Sequence, residues 1–146
     1  MTEQPPEDQS AEDVRREFVH DWLLVASVDM DTAETLLAGG PKTYTWVAVL
    51  CQQAVEKLIK AVLVYHQIAV PRTHDTDMLL SLPVNSEKEF VDRNRDSRGL
   101  SQFAVTPRYP GGFAEMEFRA AQAIYRLAQR VQADVLDLLA PFLEEE

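Results

Sequence analysis

The stretch from about Lys42 to Gln67, KTYTWVAVLCQQAVEKLIKAVLVYHQ, restricts what this chain can fold into more than any other. At 100° per residue, Gln52, Glu56, Lys60, Gln53 and Lys57 fall within one arc of about 140°. The rest of the circumference is apolar: Val47, Leu50, Cys51, Ala54, Val55, Leu58, Ile59, Ala61 and Val62. A helix that is apolar over most of its girth has to lie among other elements. Its polar arc has two readings. It is the solvated strip of a central bundle helix, or it is a patch facing a partner or ligand, bounded by Trp46 and Val49 before it and by Leu63 and Val64 after it.

The remaining chain keeps the same period, and no stretch alternates with period two long enough to compete, so an all-α fold is expected. A first helix spans about Ala11 to Ala38, with Val14, Phe18, Trp22, Val25, Ala26, Ala33 and Leu36/Leu37 on one side, and Gly39-Gly40-Pro41 stops it. After Pro71 comes a short helix, about Asp75 to Leu82, closed by Pro83. Asn85 or Ser86 then caps a further helix that runs with interruptions from Glu87 to about Ala104, Gly99 marking an irregularity. VTPRYPGG, residues 105–112, is a break. The last helix, about Phe113 to Ala140, sets Phe113, Met116, Ala120, Ala123/Ile124, Leu127, Val131, Val135 and Leu138 on one stripe and ends at Pro141. The expected architecture is an antiparallel up-and-down bundle of four long helices plus one short inserted helix.

One domain is expected, since a chain of this size hides roughly 70% of its unfolded surface. The net charge is −10. Removing the five acids of residues 1–13 and Glu144, Glu145 and Glu146 leaves −2 for residues 14–143. The acidity therefore belongs to the ends. The expected division is a flexible acidic tail over 1–13, a helical domain over 14–140 and an acidic C-terminal tail over 141–146. Such tails weaken general attraction to phosphate without excluding a local basic site. The lone Cys51 sits on an apolar helix side and cannot form an internal disulfide, no apolar run reaches the roughly 20 residues of a membrane span, and the N-terminus lacks a signal pattern. A soluble cytoplasmic protein with no membrane association is the expectation.

His20, His66 and His74 have no i, i+3 or i+4 partners among themselves, which argues against a metal site. Neither a Walker nor a dinucleotide loop is present, and no cofactor is expected. The connection AVPRTHDTDMLL, residues 69–80, is more informative. Thr73 is a good helix N-cap, and Asp75 and Asp77 complement the dipole of the first turn. Arg72 and His74 have no such structural reason, because a cation near a helix N-terminus is mildly unfavourable. His74 also has a structural reading, its ring hydrogen-bonded across the bundle. Two further basic regions can hold phosphate or stay solvated. One is Arg93, Arg95, Arg98 and Arg108 with Lys88, net +2 against its acids, and the other is the strip Arg119, Arg126, Arg130 on the last helix.

Trp22 with Ala26 and Asp29, then Gln53-Ala54-Val55-Glu56-Lys57 with Lys60-Ala61, then Pro71 with Thr73-His74-Asp75, then Arg108-Tyr109-Pro110 follow one another in an order and spacing that resembles the HEPN domain (higher eukaryotes and prokaryotes nucleotide-binding). The likeness covers about residues 14–140. It implies an all-α bundle, usually a homodimer, often encoded beside a small nucleotidyltransferase in a toxin–antitoxin or related system. Many members are ribonucleases with an Arg, four to six residues, then His near the start of the final helix. This chain departs there, because no histidine follows His74. Arg15 with His20 matches that spacing, but on the wrong helix and at a frequency that chance supplies.

These residues lead to an expectation of a nucleotide or nucleic acid end bound by Arg72, His74 and Arg108, with Lys57 and Lys60 as further ligands, no catalytic residue and no metal. Arginine would hold phosphate, and His74 would hydrogen-bond phosphate or base. The expected assembly is a homodimer, on the ground that the second helix is apolar over more surface than one small bundle covers, with a nucleotidyltransferase as protein partner. The rival is a non-enzymatic scaffold or antitoxin-like subunit acting through apolar helix faces. A third reading is an RNase pairing His74 with an arginine of a second copy.

Overall fold

Ser10 begins the first helix by accepting the Asp13 N–H on its hydroxyl at 3.1 Å. In the computed structural model, which describes residues 10–104 and 116–144, α1 spans Ala11–Leu37, α2 Tyr44–Tyr65, α3 Thr76–Ser81, α4 Lys88–Arg93 and α5 Phe118–Leu143. Three 3-10 turns, Pro41–Thr43, Arg95–Ser97 and Leu100–Ala104, join them, and the described residues contain no strand. The fold class is all-α, as expected.

The count of long helices differs from expectation. Three are long, and the segment from Glu87 to Ala104 is short α4 followed by two 3-10 turns. Polar side chains divide it. Asn94 donates its Nδ2 to the Phe90 carbonyl at 2.8 Å, and Ser97 donates its hydroxyl to the Asn94 carbonyl at 2.7 Å, so groups that a continuing helix would use are already satisfied. Gly99, at φ +90, then turns the chain, its N–H held by Asp77 at 3.0 Å.

The first helix starts where it was expected, and the last runs beyond its expected stop at Pro141. Ala11 to Asp13 belong to α1, and α5 passes Pro141 to reach Leu143. Proline in a final turn removes little bonding, and Phe142 draws that turn onto the protein. Its ring packs 5.0 Å from Tyr65, the Arg15 and Arg16 guanidinium groups lie over it at 5.0 and 4.8 Å, and its carbonyl accepts from Arg16 Nε at 2.8 Å. The expected start of the last helix at Phe113 lies outside the described residues; Met116 and Glu117 precede the helix.

The middle helix is α2, which packs chiefly on α1 and α5 and also on α3 and the turn over 100–104. Val47, Cys51, Val55, Leu58, Ile59, Val62 and Leu63 are all fully buried. One chain therefore covers the apolar girth of α2, and that girth no longer calls for a second copy. Burial and the Asp29 charge push the Cys51 thiol up to about 12, which keeps it protonated and unreactive. The end of α2 aims the chain toward the candidate residues. Gln67 adopts φ 57, the Ile68 N–H reaches the Leu63 carbonyl at 2.9 Å and the Gln67 N–H reaches Val64 at 3.1 Å, which together form a Schellman cap.

Candidate functional site

The spacing of Gln52, Glu56 and Lys60 aligns them as a ladder along α2, and the structure puts this ladder inside the protein. Gln52 is 1% exposed, Glu56 5% and Lys60 8%. These three residues are thus neither a solvated strip nor an open patch, while Gln53 and Lys57 at the edge of the arc are half-buried. Trp22 of α1 covers Lys60, whose ammonium lies 5.4 Å from the ring centroid. Asp29 of α1, also buried, meets Lys57 at 2.6 Å. Each cation of the arc has its own carboxylate, which allows the arc to be buried.

Glu56 is the centre of the cluster. Its Oε1 accepts from Lys60 Nζ at 2.7 Å, its Oε2 accepts from Gln52 Nε2 at 3.1 Å, and both oxygens lie 3.1 Å from His74 Nδ1. Burial works against its charge, but hydrogen bonds from Lys60, His74 and Gln52, with the Lys60 charge, outweigh this and hold the carboxyl below its ordinary value. A carboxylate only accepts, so His74 Nδ1 is the nitrogen carrying hydrogen. Gln52 also donates to the His74 carbonyl at 3.3 Å, fixing the backbone that carries the ring.

His74 is therefore anchored from beneath and open above, its side chain 69% exposed with Nε2 pointing away from the Glu56 contact. Arg72, two residues earlier on the same connection, is exposed and meets no carboxylate among the described residues. The connection is itself ordered by local bonds. The Thr73 N–H donates to the Pro71 carbonyl at 3.0 Å and the Thr73 hydroxyl accepts the Asp75 N–H at 3.1 Å. The expectation that Thr73 caps the short helix is corrected. Asp75 is the N-cap, accepting from the Asp77 and Met78 N–H groups at 3.1 and 3.2 Å. The helix starts at Thr76, which leaves Thr73 too far upstream to reach its free N–H groups.

Of the five residues picked from the sequence, His74 and Lys60 converge on one carboxylate, Lys57 lies in the neighbouring pair with Asp29, Arg72 is exposed two residues before His74, and Arg108 lies outside the described residues. Lys57 and Lys60 direct their ammonium groups at carboxylates of their own chain. Glu56, which links His74 and Lys60 and also holds Gln52, was visible in the sequence as the middle of an i, i+4 ladder, but nothing there showed that His74 would meet it. In the other basic regions three arginines are paired internally: Arg93 with Asp134 at 2.7 Å, Arg95 with Asp92 at 2.6 Å, and Arg130 with Asp96. Among the described residues no group of three His, Cys, Asp or Glu side chains could hold a metal ion, and no helix is long and apolar enough to cross a membrane.

No curated protein and no solved structure matches the chain. A family model described as HEPN domain matches residues 19–138. That span begins inside α1 and ends near the close of α5, taking in the Glu56 cluster and the connection that carries Arg72 and His74. Through that match over most of its length, this chain belongs to the HEPN domain family.

Proposed function

We propose that the chain binds a nucleotide or the end of a nucleic acid at the connection between α2 and α3, and that it does so without the ribonuclease centre common in its family. A nucleotide- or RNA-related function is supported at the level of the family. The observation that carries the finer reading is the anchoring of His74. A surface ring usually moves among rotamers, whereas this one has Nδ1 fixed on a buried carboxylate that Lys60 and Gln52 fix in turn. Preorganisation of this kind favours binding by reducing what is lost when the ligand settles. Nε2 would hydrogen-bond phosphate or base, Arg72 would take a phosphate, and Arg108 is the third proposed ligand. Lys57 and Lys60 would act from below, by holding α1 and Glu56 in place.

In this reading the partner is a small nucleotidyltransferase of a toxin–antitoxin-like system, and the assembly is a homodimer formed through a face other than α2. Calorimetric titration with mononucleotides and short RNA tests the ligand. Binding is expected in the wild type, weaker in Arg72→Ala and His74→Ala, and salt-dependent through Arg72. Absence of binding, or binding unchanged in both variants, would sink the proposal. Metal-independent RNA cleavage that disappears in His74→Ala would replace it with a nuclease that uses this histidine.

A further inference from the structure

We propose that the outer face of α1 is a docking surface for a basic amphipathic helix of another protein. Val14, Phe18, Val25 and Val28 follow one another at intervals of four, seven and three residues, the spacing of a two-helix seam, and Asp21 occupies the remaining seam position. All four apolar side chains are exposed, Phe18 and Val28 at 56% each, and Leu24 beside them at 65%. Half of the exposed large apolar residues of the described chain lie on this one helix. Beside Val14 and Phe18 the seam opens into a cavity of about 600 Å³ with Val64 of α2 on its wall, room for a bulky apolar anchor.

Charge decides what covers the seam. Asp21 is exposed in its middle and Asp31 is exposed near its C-terminal end. Of the two arginines of α1, Arg16 bonds Asp13 and the Phe142 carbonyl, while Arg15, at the cavity edge, lies over Phe142 and Tyr65 with its Nε unpartnered among the described residues. The apolar anchor of a partner therefore belongs at the cavity, and its cations belong toward Asp21 and Asp31. A second copy fits badly. Asp21 is the midpoint between Val14 and Val28, so pairing α1 with α1, parallel or antiparallel, sets Asp21 against Asp21 inside an apolar seam. A partner helix with an apolar stripe, a lysine or arginine at the central position and cations along its flank satisfies every group that self-pairing leaves opposed. This surface does not depend on the His74 site.

The test uses two fluorescent designed helical peptides with the same leucine and valine seam, one carrying lysine at the centre and along the flank and the other glutamate at the same positions. Anisotropy titration against the full chain is expected to show the basic peptide binding at least about tenfold more tightly than the acidic one. Asp21→Lys should reverse that preference, and Phe18→Ser, an exposed change whose folding a thermal melt checks, should abolish binding of both. Equal binding of the two peptides, or none, overturns the proposal. So does basic-peptide binding that survives Phe18→Ser, which would be general attraction to an acidic protein. Self-association of the wild type that Phe18→Ser abolishes would assign the face to a second copy instead.

Discussion

Two helix faces of this protein exchange the roles that their residues suggest. The polar arc of α2 lies inside, with Gln52, Glu56 and Lys60 nearly inaccessible, while Val14, Phe18, Val25 and Val28 of α1 lie outside. Helical periodicity reports which residues share a face, not what covers that face. The α2 arc can be covered because α1 and the connection after Pro71 bring Asp29, Trp22 and His74 to it, so that its charges close on one another. The α1 stripe stays open because α1 packs through its other side, where Val19, Ala26, Met30 and Ala33 are buried in the core.

The strongest way to break this contrast is to remove the centre of the buried arc. Glu56→Ala leaves Lys60 buried with no carboxylate, and a loss of about 3–5 kcal/mol is expected in denaturant unfolding. A loss below about 1 kcal/mol would mean that the arc behaves as an ordinary surface. The same carboxylate makes stability depend on pH. Its pKa is lower in the folded chain than in the unfolded one, so its contribution is fully present above the ordinary glutamate value of about 4.3 and is lost as pH falls below that value. Thermal melts of the wild type should fall through this acid range more steeply than those of Glu56→Gln.

Smaller effects sharpen the picture around the site. Asp75→Ala should lower stability by about 1 kcal/mol as a lost cap, and Thr73→Ala should cost less because Thr73 bonds only within the connection. Gln67→Gly should raise stability by about 0.5–1 kcal/mol, since φ 57 suits glycine, and thermal melts report the sign. Smallest of all, Phe18→Ser should change stability by about 0.5 kcal/mol or less in the isolated chain, because the ring is more than half exposed.

The all-α class, the extents of α1 and α2 to within a few residues, and the buried girth of α2 could be read from apolar spacing and from punctuation at Gly39-Gly40-Pro41 and Pro71. The expected fourth long helix could not, because its periodicity survives in the 3-10 turns while Asn94, Ser97 and Gly99 take over the backbone bonding. Pro141 misled for a related reason: its effect on the backbone is local, whereas the packing of Phe142 against Tyr65 and Arg15 is tertiary. At the site, Arg72 and His74 were legible as residues without a capping role. Their setting was not, since the bond between His74 and Glu56 joins residues 18 apart through a connection whose path the sequence leaves open. The outward turn of Val14, Phe18 and Val25 was equally hidden, because an apolar stripe facing solvent and one facing the core have the same pattern.

The central claim is that a buried carboxylate cluster sets the state of one surface histidine, and the imidazole nitrogen resonances of His74 test it most directly. Two-dimensional proton–nitrogen NMR of the wild type, assigned by the loss of signals in His74→Ala, should show the neutral ring carrying hydrogen on Nδ1, with Nε2 free. The Glu56→Ala chain should lose that preference. A wild-type ring with hydrogen on Nε2, indifferent to removal of Glu56, would contradict the account.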